Sequence, residues 1–148
     1  MTAQRASFVY VTYIRSTAEK IFEAITKPEI ARVYWGHSNV SDWTPGSKWE
    51  HVRNSDATIS DIVGKVVEHD PPKRLVMTWA AASQADDADQ YSRVTFDIES
   101  NKDGMVKLTV SHDELQPDSK MQSGITQGWP LVLSSMKSFL ETGQGFDL

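Results

Sequence analysis

Residues Phe8 to Ile14 read FVYVTYI, all β-branched or aromatic, and such a run predicts a strand usable on both faces. Ser16-Thr17-Ala18-Glu19 follows as a capping box, with the Ser16 hydroxyl expected on an orphan N–H and Glu19 reaching back to the cap. Ile21, Phe22 and Ile25 then recur at helical spacing until Lys27-Pro28 stops the run. Pro28 suits the first turn of a second short helix, Glu29 to about Tyr34, because its missing N–H is one that a helix start leaves unpaired. Trp35 to Pro45 is rich in Gly, Asn, Ser and Asp and reads as a loop.

Beyond Gly46 the period becomes two. Trp49 and His51 are expected on one strand face, with Lys48, Glu50 and Val52 on the other. Arg53 to Ala57 is a turn, and Thr58 to His69 a long strand in which Gly64 marks a bulge or bend. Asp70-Pro71-Pro72-Lys73 is a turn no strand can cross. Arg74 to Trp79 follows, with Leu75, Met77 and Trp79 on one face. Ala80 to Gln90 lacks a clear period and reads as a mobile connection, long enough to act as a lid, although its alanines also permit a helix. Val94, Phe96 and Ile98 alternate in the next strand and Val106, Leu108 and Val110 in the last; the turn Asn101-Lys102-Asp103-Gly104 between them predicts an antiparallel pair.

The final element, Asp118 to Thr142, carries Trp129, Val132, Leu133, Met136, Phe139 and Leu140 three and four apart, which predicts a long amphipathic helix. Gly128 and Pro130 interrupt it, so it either kinks there or restarts at Pro130, and Gly143 caps its end. Strands in a run with segregated helices indicate an antiparallel α+β domain. The long helix must bury its stripe on the sheet, so a sheet of about six strands has to curve around it. One domain spans residues 1–148, with its core at about 8–143.

The resemblance to a known family rests on three passages. The first is the strand end and helix Ile14-Arg15-Ser16-Thr17-Ala18-Glu19-Lys20-Ile21-Phe22-Glu23-Ala24-Ile25-Thr26, followed by Lys27-Pro28-Glu29. The second runs from Gly64-Lys65-Val66-Val67-Glu68-His69-Asp70-Pro71-Pro72-Lys73-Arg74-Leu75 to Thr78-Trp79. The third is Gly128-Trp129-Pro130 with Leu133, Met136-Lys137 and Leu140-Glu141-Thr142-Gly143. In this order and spacing, from about Val9 to Gly143, the chain resembles the activator of Hsp90 ATPase homologue 1-like group of the START/Bet v1-like superfamily. That resemblance implies a helix-grip fold with a cavity between sheet and long helix. Eukaryotic Hsp90 activators carry a separate domain ahead of this one, whereas seven residues precede Phe8 here, so a full co-chaperone role is not expected.

Composition narrows the chemistry. The net charge is −5, so phosphate backbones and anionic lipid are disfavoured and nucleic acid is not an expected partner. No apolar run is long enough for membrane insertion or a signal peptide, and a cytoplasmic location is the default expectation. With no cysteine there is no disulfide, thiolate metal site or thiol nucleophile. Five tryptophans stand out, because a buried indole needs an acceptor for its N–H and is a poor choice for filling alone.

The main expectation is therefore a site for a small apolar or amphipathic molecule. Trp35 is placed near its mouth; Trp49, His51, Met77, Trp79, Phe96 and His112 line it from the sheet; Trp129, Leu133 and Met136 line it from the helix. His51 or His112 would be its polar handle, and each of these residues could equally be ordinary core. His37, His51, His69 and His112 match no metal-ligand spacing, and Asp86, Asp87 and Asp89 lack the EF-hand pattern, so neither a metal nor a cofactor is expected. Two other readings stand beside this one. One is a protein-interaction module, with an Hsp90-type chaperone or a homodimer as partner. The other is an enzyme of cyclase or hydratase type using His112, with Glu114 facing inward beside it and Asp113 on the opposite face.

Overall fold

In the computed structural model, which describes residues 4–148, the first strand β1 (Ala6–Arg15) leads into helices α1 (Ala18–Thr26) and α2 (Pro28–Tyr34). Thr17, one residue later than expected, caps α1: its Oγ1 accepts from the Lys20 N–H at 3.2 Å. Ile21, Phe22 and Ile25 are buried along one side of α1, and Pro28 occupies the first turn of α2.

Six further strands follow: β2 (His37–Val40), β3 (Lys48–Arg53), β4 (Ser60–Asp70), β5 (Arg74–Ala81), β6 (Ser92–Ser100) and β7 (Met105–Leu115). All pair antiparallel in one sheet of order β1-β7-β6-β5-β4-β3-β2. The sheet has seven strands where about six were expected. The extra one, β2, lies within the segment read as a loop, because its buried residues, Ser38 and Asn39 on opposite faces, are both polar and it has no apolar alternation.

Helix α3 (Lys120–Thr142) closes the chain, capped by Ser119 at its start and by Gly143 at φ 89° at its end. It passes through Pro130 as one helix, and it starts two residues later than expected. At about 1.5 Å per residue it spans about 34 Å, enough to cross the sheet. Its buried Ile125, Trp129, Leu133 and Met136 face Leu75, Met77, Phe96, Leu108 and Val110 of the sheet in a single core. Each such side chain contributes about 1.5–3 kcal/mol relative to exposure. This is the helix-grip arrangement, a curved sheet around a long helix.

Local departures from strict alternation have identifiable causes. Between His51 and Val52 the pairing of β3 with β4 shifts register, which buries Val52 rather than leaving it with Lys48 and Glu50. Gly64 sits in regular register opposite Trp49, and the irregularities of β4 lie on either side of it, at Asp61 against β3 and between Val66 and Glu68 against β5. Glu114 takes φ 59°, so the strand turns there: Glu114 is exposed and Leu115 takes the buried position. Residues 82–90 hold two 3-10 turns, Ala82–Gln84 and Ala88–Gln90, fastened by bonds from Tyr91 Oη to the Ala85 carbonyl and from Gln116 Nε2 to the Asp89 carbonyl. Among the described residues no helix is long and apolar enough to cross a membrane.

Candidate functional site

The sheet and the first half of α3 do not close completely. Between them lies a cavity of about 310 Å³, at the lower end of the range for small-molecule sites. Trp35, directly after α2, forms one side, and His37, His51, Asp61, Ile62 and Trp79 rise from β2, β3, β4 and β5. From α3 come Gly124, Ile125, Gly128, Trp129 and Val132. Gly124 and Gly128 lie four residues apart, hence on one helix face, and a Cβ at either would meet nothing within 4 Å. Gly124 is exposed at the rim and Gly128 is half-buried, so a side chain at either position has room at the cavity's edge.

The walls are mostly aromatic. Trp35 stands edge-on to Trp129 at 5.7 Å and to His51 at 4.8 Å between ring centroids. Trp79 lies 5.5 Å from both His51 and Trp129, and Trp49 backs it at 5.3 Å. The Trp49 indole is anchored by a 2.7 Å bond to the Thr78 carbonyl. The Trp79 Nε1–H is buried with no acceptor, the one side-chain polar atom in that state among the described residues. Such a donor costs free energy that a hydrogen-bonding partner would recover.

Two histidines behave differently. His112 accepts at Nδ1 from the Trp129 indole N–H at 3.0 Å, so its proton sits on Nε2 and goes to Ser92 Oγ at 2.7 Å. The Ser92 hydroxyl in turn donates to the Trp79 carbonyl at 2.9 Å. Both imidazole nitrogens are thus engaged inside the protein, and burial lowers the His112 pKa to about 4. Asp113 points outward to Arg93 and Glu114 is exposed, so neither carboxylate meets His112 in a catalytic pair.

His51 is buried and donates from Nδ1 to Asn39 Oδ1 at 2.8 Å; the Asn39 amide is itself oriented by donating to the Ile25 carbonyl at 2.9 Å. That leaves His51 Nε2 as an acceptor on the cavity side, with no partner among the described residues. Burial, and secondarily the neighbouring His37, lower its pKa to about 3, so the ring is neutral at ordinary pH. His37 stacks on His51 at 4.4 Å with the rings 5° from parallel. Its Nε2 meets Asp61 Oδ2 at 2.7 Å, and Arg53 holds the same carboxylate with two bonds of 2.7 and 2.9 Å. The Arg53 and His37 hydrogen bonds hold the Asp61 pKa far below the usual carboxylate range.

Of the residues singled out in the sequence, Trp35, His51, Trp79 and Trp129 border the cavity. Trp49, Met77, Phe96, His112, Leu133 and Met136 lie behind it in the core. His37, Asp61, Ile62, Gly124, Ile125, Gly128 and Val132 border it without having been singled out. The pair of glycines on one face of a long amphipathic helix was a signal for two of them. Among the described residues no cluster of three or more His, Asp or Glu could hold a metal.

Solved structures share this architecture, and three of them illustrate it. The chain is 19% identical to the Aha1 dimer from Colwellia psychrerythraea, with a TM-score of 0.76 over 95% of this chain and 99% of that one. A protein from Mesorhizobium loti gives 22% identity and a TM-score of 0.76, covering 97% and 100%. An Hsp90 activator from Plasmodium falciparum gives 22% and 0.75, covering 91% and 96%. At these identities the likeness shows the fold alone. No curated protein matches by sequence. The family model for activator of Hsp90 ATPase homolog 1-like protein matches residues 15–141, from the end of β1 through nearly all of α3. The chain therefore belongs to the activator of Hsp90 ATPase homolog 1-like family.

Proposed function

We propose that the protein binds a small apolar or amphipathic molecule in the cavity between the sheet and α3. The observation that carries this reading is the pair Gly124 and Gly128. Each costs the helix about 1 kcal/mol relative to alanine, and both face a space walled by Trp35, Trp79 and Trp129. Larger side chains at these positions would project into that space and narrow it. The walls suit a ligand that is mainly apolar and carries one polar donor function, for which His51 Nε2 is the acceptor.

Three of the five tryptophans border the cavity, so occupancy changes the protein's own fluorescence. Titration with naphthalene and 2-naphthol tests the reading: saturable quenching at one molecule per chain supports it, and a spectrum unchanged by both argues against it. Native mass spectrometry of freshly purified protein identifies any molecule that stays bound.

A second reading, self-association, is favoured by a separate observation. β1 is an edge strand whose Val9, Val11 and Tyr13 are exposed in alternation; α3 caps its end, with Lys137 on the Tyr13 carbonyl and Glu141 on the Arg15 N–H, and the earlier part of the strand is the stretch that could pair with another strand. Light scattering on the wild type and on Val11→Lys decides it: a dimer that the lysine dissociates supports the reading, and a wild-type monomer ends it.

A further inference from the structure

We infer that the cavity is also a proton-transfer site, in which His37 is the general base and Asp61 positions it. This inference rests on the proposal that the cavity takes up a small molecule, and it assigns chemistry to a wall residue that binding alone leaves unused.

Three features set His37 apart from the other imidazoles. Its Nε2 lies 2.7 Å from Asp61 Oδ2, and the carboxylate is fixed from its other side by the Arg53 guanidinium. A carboxylate on one imidazole nitrogen selects the tautomer with the proton on that nitrogen and steadies the imidazolium that forms when the other accepts a proton. The other nitrogen, Nδ1, has no hydrogen-bond partner among the described residues, and His37 borders the cavity. Finally, the ring is held in place by parallel stacking on His51, which Asn39 locks in turn. His112 has both nitrogens occupied and His51 is kept neutral by burial, so neither competes for the role.

The same cavity is walled by Trp35, Trp79 and Trp129 and is largely apolar. A base beside an apolar space suits a carbon acid, here a β,γ-unsaturated carbonyl compound whose α C–H is acidified by the carbonyl. His37 Nδ1 takes the proton. The C–H electron pair becomes the C=C bond of an enolate conjugated with the β,γ double bond, and the carbonyl π pair moves to oxygen. The imidazolium then returns its proton to the γ-carbon: the β,γ π pair forms the new C–H bond, the enolate C=C pair becomes the α,β double bond, and the oxygen pair re-forms the carbonyl. The net change is an isomerisation that needs no oxidant, reductant or co-reactant.

The residues that make this constellation come from three strands and are 24 positions apart for His37 and Asp61. They meet because β2 pairs with β3 and β3 with β4, placing His37 opposite Arg53 and bringing Asp61 beside both.

A probe that reports base strength in an apolar pocket tests the inference. In 5-nitrobenzisoxazole, loss of the ring C–H proton to a base turns the C–H pair into the C≡N bond of a nitrile, breaks the N–O bond and releases a coloured phenolate. The wild type is expected to turn the probe over with saturation. His37→Gln and His37→Ala should each lower kcat by about 100-fold while the probe still quenches tryptophan fluorescence. Added imidazole should restore the rate of His37→Ala, which a structural role for His37 would not produce. Asp61→Asn should lower kcat with KM unchanged. Asp113→Asn, outside the cavity on Arg93, should match the wild type. If the probe binds and the wild type converts it no faster than His37→Gln, the base assignment is overturned and the binding reading stands. If the probe neither quenches nor reacts, both are overturned.

Discussion

The Trp129 indole on α3 donates to His112 Nδ1 on β7 at 3.0 Å, the first link of a chain that continues through Ser92 Oγ to the Trp79 carbonyl. One directed run of hydrogen bonds thus joins the helix to three strands beneath the cavity floor. Trp129→Phe keeps an aromatic ring but removes the donor and leaves a buried imidazole nitrogen unpaired. Stability should fall by about 1–3 kcal/mol, measured by urea denaturation. A smaller loss than in Phe139→Leu, a part-buried position outside this chain, would show that the chain contributes little.

Acid should weaken the fold through two histidines. His51 and His112 have folded pKa values lowered to about 3 and about 4, against 6.5 for the free side chain. Below 6.5 the unfolded chain binds protons that the folded one does not, so stability present at neutral pH is lost as the pH falls, until the folded values are reached. Each histidine contributes a slope of about 1.4 kcal/mol per pH unit in that window. Melting temperatures between pH 7 and pH 4 should decline steadily, and more shallowly in His112→Gln. A melting temperature constant across that window would contradict both assignments.

Gly64 is required by the indole that crosses it. A Cβ there would sit 2.5 Å from Trp49 Nε1 and overlap the Thr78 carbonyl, the two partners of a 2.7 Å hydrogen bond. Neither is a flexible side-chain end that can swing away. Gly64→Ala should therefore cost about 3 kcal/mol or more, although alanine is the better residue for the unfolded-state entropy. Chemical denaturation reads this directly, and a neutral substitution would mean that β4 and β5 can separate locally.

On α3 the same substitution should have the opposite sign. A Cβ at Gly124 meets nothing within 4 Å, and alanine is a better helix former. Gly124→Ala should raise stability by about 0.5–1 kcal/mol while weakening the binding of naphthalene. Thermal melts and the fluorescence titration together reveal the trade; a gain in both stability and affinity would place the ligand elsewhere.

Much of the scaffold was legible because burial follows a simple period. Leu75, Met77 and Trp79, Val94, Phe96 and Ile98, and Val106, Leu108 and Val110 alternate in sequence and are buried in the structure. Where the pattern failed, a local force overrode it. Ser38 and Asn39 are buried on the two faces of β2 because hydrogen bonds rather than apolar contact hold them: Ser38 to the Pro28 carbonyl and Asn54, Asn39 to the Ile25 carbonyl and His51. Glu114 leaves the inward face because its positive φ turns the strand. The His37–Asp61 pair depends on the pairing of a strand that hydrophobic periodicity does not reveal. Gly128 read as an interruption of α3, whereas in the folded protein the helix continues and the missing side chain becomes part of the cavity.

The most direct measurement is a paired titration of the wild type and Gly128→Leu with 1-anilinonaphthalene-8-sulfonate, an amphipathic dye that brightens in apolar surroundings. Leucine at 128 projects into the cavity and favours the helix, so the fold should persist, as a melting temperature at or above that of the wild type would record. The account predicts saturable binding of one dye per wild-type chain and its loss in Gly128→Leu. Equal binding by both proteins, with the variant folded, would contradict the placement of the ligand between the sheet and α3.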